Sequence, residues 1–315
     1  ALQHPDPAVQ AAVIRSLGEL GDHKSTPELR RKLQHQQSIV RRAAIEALST
    51  LGDSRLAPQL LKLLRKGGEM EVAAIAALGR MREVASLRSL HGRLPTATGN
   101  TRRALLRAIA EIGHKSSVNP LCQAMKRNCF QAQNIAPVLL AIGPQAAADL
   151  SAQLSGWPAS IQTLCPKHAA AVLGQLQQAE SVPAVAALLR NKRGDVRKAA
   201  REALVAFALP EAEQALLEHL ELTKGSERLS AIRALGQYRS PKARAALHQL
   251  LTASQAGDRS ASLIALLLQG DVAALEHLPQ ALRNTTGSKS RQRYLTAIKA
   301  MGVPALKPVL KLLKT

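Results

Sequence analysis

A short apolar-then-small signature returns along the chain at a nearly fixed step, and this period limits the possible folds more than any other feature. Leu17-Gly18-Glu19-Leu20-Gly21-Asp22 recurs as Leu48-Ser49-Thr50-Leu51-Gly52-Asp53, a shift of 31 residues. The same punctuation returns at Met81, Ile112-Gly113, Ile142-Gly143, Leu176, Phe207, Tyr238, Gln269-Gly270 and Met301-Gly302. Steps are 30 or 31 nearly throughout, with one of 34 before Leu176 and slight drift near the end. About ten copies therefore fill residues 1–315. This predicts a single repeat domain with an irregular junction near 155–168 and no space for a second domain.

Each copy reads as two helices. Val40, Ala43, Ala44, Leu48 and Leu51 fall at three- and four-residue spacings and make one apolar stripe. Leu60, Leu61, Leu63 and Leu64 make a second apolar surface after the Gly52-Asp53 break, where glycine suits a left-handed helix stop. Pro27, Pro58 and Pro183 stand six residues beyond the turn, early in the second helix, where proline is tolerated. Aromatics are only 2% of residues against 46% apolar, so the core comes from Ala, Leu, Val and Ile in closely packed short helices. One such pair cannot bury both its faces, so neighbours must stack. The expected fold is all-α, a right-handed α-solenoid of about ten two-helix repeats.

Val-Arg-Lys-Ala-Ala-Arg-Glu-Ala-Leu at Val196 to Leu204 and Val-Arg-Arg-Ala-Ala-Ile-Glu-Ala-Leu at Val40 to Leu48 resemble HEAT repeats of the phycobilisome-lyase type. The resemblance covers essentially the whole chain. It implies that the Val-Arg helices line an inner, concave face and the proline-bearing helices an outer one. It specifies fold far better than function, since such repeats serve unrelated roles.

Arg41, Arg102, Arg197, Arg228, Arg259 and Arg291 occupy one position, eleven residues before the residue that follows the landmark of each turn. The resemblance implies an acidic residue in the preceding turn as partner of each arginine. Asp195 fits that pattern and Asp258 fits it less well, while the residues before Arg41, Arg102, Arg228 and Arg291 include Ile39, Gly99, Ser226 and Lys289. Two readings follow: the arginines cap carbonyls and stack between repeats, or several offer their forks to outside phosphates or carboxylates. Arg42, Arg103, Arg107, Lys198, Arg201, Arg233, Arg293 and Lys299 lie on the same class of helix. Together they make Arg41, Arg42, Arg102, Arg103, Arg107, Arg197, Lys198, Arg201, Arg228, Arg259, Arg291 and Arg293 the candidate binding residues.

The formal net charge of +21 makes an acidic partner the expectation. It is spread evenly, +10 through Trp157 and +11 beyond, and no acidic residue follows Glu276. Phe130, Trp157, Phe207, Tyr238 and Tyr294 are all the aromatics present, too few for base-stacking platforms, so nucleic acid would be gripped by its backbone alone. An anionic membrane surface is disfavoured because no amphipathic helix carries aromatic anchors.

Other chemistry is sparse. The irregular segment holds Trp157, Cys165 and His168, where a longer loop is expected and a nucleophilic cysteine lacks an orienting third group. The similar loops 95–103 and 284–291 set hydroxyls and a glycine ahead of arginine-bearing helices, and they read as flexible turns more readily than as anion sites. His219, His248 and His277 recur at steps of 29 and read as surface polar residues. Cys122 and Cys129 form no zinc pattern, and Cys122 reads as a small core residue. No metal or cofactor is expected. HEAT-like DNA glycosylases place aromatics beside a carboxylate, and the inner helices here hold no Trp or Tyr cluster beside an Asp. Bilin-lyase members handle chromophores, for which Cys165 and His168 alone are too thin a set.

The expected function is a non-enzymatic interaction scaffold that binds an acidic protein on a basic concave surface. The alternative is a solenoid that grips nucleic-acid phosphates without reading bases. Three cysteines and no apolar run of about 18 residues suit a reducing, cytoplasmic setting without a transmembrane segment. The chain starts at Ala1 with no secretory h-region after it, which reads as a processed or excised form. The apolar side of 303–314 (Leu306, Val309, Leu310, Leu313) needs cover, from its own repeat or from another subunit. Oligomeric state is open.

Overall fold

A computed structural model describes residues 2–127, 132–155, 165–253, 255–284 and 288–305. Helices come in consecutive pairs: α1 (Pro7–Glu19) with α2 (Thr26–Lys32), α3 (Ser38–Thr50) with α4 (Ala57–Lys66), α5 (Glu71–Arg80) with α6 (Leu87–Arg93), α7 (Gly99–Ile112) with α8 (Val118–Arg127), and α9 (Ala132–Ile142) with α10 (Ala147–Ser155). The series continues as α11 (Cys165–Leu176) with α12 (Val182–Ala187), α13 (Gly194–Phe207) with α14 (Pro210–Leu222), α15 (Gly225–Leu235) with α16 (Pro241–Leu250), α17 (Ala256–Leu268) with α18 (Leu278–Arg283), and α19 (Ser288–Met301). No strand occurs among the described residues. Residues up to Gln153 belong to one compact unit and residues from Pro166 onward to another. The division falls at the segment where the sequence period breaks.

The turn inside each pair follows from the repeated signature. At the end of α3, the Asp53 amide donates to the Leu48 carbonyl at 3.1 Å while Gly52 sits at φ +68°. This satisfies carbonyls that the helix end leaves without amide partners. The same bond recurs from Asp22 to Leu17, Glu83 to Leu78 and Asp271 to Leu266. The acidic side chain then caps a short 3-10 turn: Asp22 accepts from the Lys24 amide, Asp53 from Arg55 and Glu83 from Ala85. Arg82, Gln177 and Ala208 take the glycine position in three repeats and carry positive φ of 50–53°. There the array imposes a backbone that L side chains disfavour. Pro27, Pro58 and Pro183 stand in the first turn of α2, α4 and α12, as their spacing predicts.

Within the first unit, α1, α3, α5, α7 and α9 pack one on the next in chain order. In the second unit, α13, α15, α17 and α19 do the same, while α12, α14 and α16 form the other layer. Val40, Ala43, Ala44, Leu48, Leu60 and Leu64 are buried, whereas Leu61 and Leu63 are half-buried. Each fully buried leucine contributes about 2 kcal/mol of apolar burial. Small residues set the closeness of neighbouring first helices. A Cβ added at Gly18 would lie 2.6 Å from the Ala47 Cα, and at Gly79 2.7 Å from the Ala108 Cα. In the second unit the equivalent distances are 2.7 Å from Gly174 to the Ala203 Cα and 2.6 Å from Gly236 to the Ala265 Cβ. A methyl group has no room at these crossings. Each unit is thus a stack of two-helix repeats, an α-solenoid in architecture. No single helix among the described residues is long and apolar enough to cross a membrane.

Candidate functional site

The ladder arginines start from one local arrangement. Arg41, Arg197, Arg228 and Arg259 each sit one turn into a first helix, close to the carbonyls that end the preceding repeat. Arg41 donates to the His35 and Gln36 carbonyls at 2.8 and 2.6 Å, and Arg197 to those of Asn191 and Lys192 at 2.8 and 2.9 Å. Arg228 donates to the Leu220 carbonyl and Arg259 to that of Ala253, both at 2.6 Å.

The acidic partners come from the following repeat, which corrects the expectation of a partner in the preceding turn. Arg197 and Arg201 both reach Glu227, at 2.7 and 2.6 Å, and Arg228 reaches Asp258 at 2.7 Å. Each acid directly precedes the next ladder arginine and lies about 30 residues ahead of the arginine it binds. Arg41 is 3.6 Å from Glu69. Asp195, expected to pair with Arg197, is gripped instead by Arg193 at 2.9 Å. The forks of Arg197, Arg201 and Arg228 are therefore engaged inside the protein and are not offered outward. The paired arginines hold Glu227 below the usual carboxylate range, the hydrogen bond from Arg197 first and the Arg201 charge with it. Arg201 is itself buried.

Arg102 departs from this pattern. α9 has no acidic residue in its first turn, the Leu94 carbonyl is 3.5 Å away, and the Arg102 Nε is buried without a partner. Arg103 is exposed and hydrogen-bonds Asn100, while Arg107 is exposed and binds Glu111 at 2.8 Å. These three side chains face two adjoining clefts in the first unit. The larger, about 550 Å³, lies between α7 and α9; Arg102, Arg103 and Arg107 meet an apolar lining of Leu106, Pro137 and Val138 there. The smaller, about 320 Å³, lies between α5 and α7, where Arg103 and Arg107 recur with Arg80, Val72, Asn100 and Glu111. Arg80, Arg102 and Arg103 make no ion pair among the described residues. The two linings hold four guanidinium groups and one carboxylate.

The remaining candidates are scattered. Arg41 lines a separate cleft of about 450 Å³ with Lys62 and Lys66, and Arg42 is exposed beside it on α3. Lys198 is exposed and 3.7 Å from Glu202. Arg291 and Arg293 are exposed on α19. Arg80 was not among the candidates read from the sequence because it is off the ladder position. Its signal was available: Arg80 and Glu111 occupy equivalent positions one repeat apart.

His219 is buried with an unpartnered Nε2, contrary to a surface reading, and burial together with Arg201 pushes its imidazole below its usual range. His248 binds Asp271 at 2.8 Å and His277 is half-buried. Cys122 is buried, and burial pushes its thiol up to about 12. Phe207, Tyr238 and Tyr294 are all core residues. Trp157, Cys129, Phe130 and residues 306–315 lie outside the described residues, as do the side chain of Cys165 and the centre of the 284–291 loop. No group of three or more His, Cys, Asp or Glu side chains able to hold a metal occurs among the described residues.

Residues 1–79 match the HEAT repeat family, and residues 101–127 and 227–253 match the PBS lyase HEAT-like repeat. No curated protein sequence matches the chain. Among solved structures, human deoxyhypusine hydroxylase in complex with glycerol is 22% identical, covering 74% of this chain and 92% of its own, with a TM-score of 0.33. An engineered protein is 18% identical over 100% of this chain and 93% of its own, at a TM-score of 0.32. The complex of CpcE and CpcF of phycocyanin lyase from Nostoc sp. PCC7120 is 16% identical over 88% and 94%, at 0.31. Scores of that size carry nothing about function. Residues 1–79, 101–127 and 227–253 are thus HEAT-type repeats, and the paired helices with their recurrent turn continue the same two-helix architecture through the other described residues.

Proposed function

We propose that the chain is a non-enzymatic interaction scaffold and that its basic clefts beside α7 receive an acidic protein. The observation that carries this reading is the contrast between repeats. Where an acid begins the next repeat, the ladder arginine is tied down within the protein. At Arg102 no acid is supplied, and Arg102, Arg103 and Arg80 collect around two clefts without ion pairs. A cluster of guanidinium groups near an apolar floor favours carboxylates presented by a polypeptide.

Nucleic acid is the second reading, and the net charge of +21 favours it. It is ranked lower because Leu106, Pro137 and Val138 offer a phosphate backbone nothing, and every described aromatic is in the core. Catalysis finds little support in the cleft linings, whose one titratable acid, Glu111, is already bound by Arg107. The sequence period resumes beyond the irregular junction near 155–168, which argues that residues 1–315 serve as one repeat domain, and the cysteine usage suits the cytoplasm.

Binding of labelled polyglutamate and of a short random duplex across a salt series tests the reading. Polyglutamate should remain bound at roughly 150 mM salt while duplex binding disappears. The double variant Arg102→Glu and Arg103→Glu should lose polyglutamate and keep its helicity. Duplex binding that outlasts polyglutamate with rising salt would install the nucleic-acid reading instead.

A further inference from the structure

We infer that the cleft between α3 and α4 binds a free single-chain carboxylate, with its aliphatic tail on the apolar floor and its carboxyl group at Lys62 and Lys66. The site is separate from the clefts beside α7 and stands independently of the acidic-protein reading.

The cleft lies where a bridge is missing. Eleven residues before and after the turn residue, the first pair of helices sets Gln10 against Lys32, and the third sets Glu71 against Arg93. Both bridges join the two helices of their repeat, at 2.9 and 2.5 Å, and both first-helix members are buried. The second pair of helices has Arg41 and Leu63 at these positions. Leucine offers a guanidinium no bond, and Arg41 turns to the His35 and Gln36 carbonyls of the preceding repeat. Arg41 and Leu63 both line the cleft of about 450 Å³.

Its lining is divided as an amphiphile requires. Ile45, Leu56 and Leu60 are buried, and Leu33, Leu63 and Met70 are half-buried around them. Lys62 and Lys66 are exposed, one turn apart on α4, and have no ion pair or hydrogen bond among the described residues. No lining residue is acidic; Glu69, 3.6 Å from Arg41, is 65% exposed and outside the lining. A carboxylate at the two lysines meets charge that the described chain does not neutralise. An aliphatic tail on the floor removes apolar surface from water on both partners. The volume falls within the range of small-molecule sites, about 300–1,000 Å³. An acidic peptide would instead bring backbone amides against leucine, isoleucine and methionine, which cannot bond them, and burying unpaired amides costs affinity.

Calorimetric titration with straight-chain carboxylates from hexanoate to decanoate, and with octanol, tests the inference. Octanoate should bind about fivefold more tightly than octanol, the worth of two exposed ion pairs. Each added methylene should tighten binding about fourfold while the floor remains uncovered. Lys62→Gln with Lys66→Gln should remove the preference over octanol, whereas Arg65→Gln with Arg88→Gln, exposed on α4 and α6, should keep it. Arg41→Gln with Leu63→Lys installs the bridge of the first repeat at unchanged net charge, and it should weaken decanoate about tenfold. If that variant loses helicity, Gln59→Phe, at an exposed lining position, is the second means of filling the cleft. No binding of decanoate, equal affinity for octanoate and octanol, or no dependence on chain length overturns the inference. So does decanoate affinity that neither filling variant changes. Displacement of decanoate by polyglutamate, with Lys62 and Lys66 needed by both, also overturns it and gives the cleft to an acidic peptide.

Discussion

Replacing Glu227 by Gln removes a charge without changing shape, and the geometry sets the size of the effect. Glu227 accepts from Arg197 at 2.7 Å and from Arg201 at 2.6 Å, and the Arg201 side chain is only 9% exposed. Each charge-assisted bond contributes about 1.5 kcal/mol, which puts the ceiling at about 3 kcal/mol. Glu227 itself is 28% exposed, so water replaces part of the interaction, and about 2 kcal/mol is expected. Urea unfolding followed by circular dichroism reads the loss, with Glu221→Gln at an exposed site as the control. A cycle with Arg201→Met should return a coupling of about 1 kcal/mol or more. The sign with pH is fixed. The folded-state pKa of Glu227 is lowered, so its contribution is present above the ordinary carboxylate range and is lost as pH falls through the folded value. A loss below about 0.5 kcal/mol, or one equal to that of Glu221→Gln, would refute the assignment of these arginines to internal pairing.

Three further outcomes follow from the same structure. Gly18→Ala should destabilise by about 1–3 kcal/mol in a thermal melt although alanine favours helices, because its methyl meets the Ala47 backbone. Arg82→Gly should stabilise by about 0.5 kcal/mol or more, since relief of a positive φ outweighs the added freedom of the unfolded chain; a lower melting temperature would contradict it. Cys122 should resist alkylation at mildly alkaline pH until the protein is unfolded, as read by mass spectrometry of its peptide.

The architecture was legible because helical period, turn glycine and early proline all repeat in register, and each repetition reinforces the others. Gly52 and Pro58 behave as their positions suggest. The ladder was legible as a position and misread as a pairing. Glu227 and Asp258 bind arginines about 30 residues earlier, and linear proximity pointed instead to Asp195 and Arg197. The site was half-visible. Arg102, Arg103 and Arg107 stand out as charges, whereas Arg80, Pro137 and Val138 join them only when helices three repeats in a row are laid side by side. His219 was misread because a histidine on a polar-looking helix carries no mark of burial until its neighbours are placed.

The central claim is that local arrangement beside α7, and not the overall charge of +21, captures an acidic polypeptide. Two double variants of identical net charge separate these causes: Arg102→Glu with Arg103→Glu beside the clefts, and Arg65→Glu with Arg88→Glu at exposed positions on α4 and α6. Polyglutamate affinity at roughly 150 mM salt is the measurement. Loss of about a hundredfold in the first variant and less than about threefold in the second is the predicted result. Equal losses in the two would contradict the claim and leave only nonspecific attraction to a basic protein.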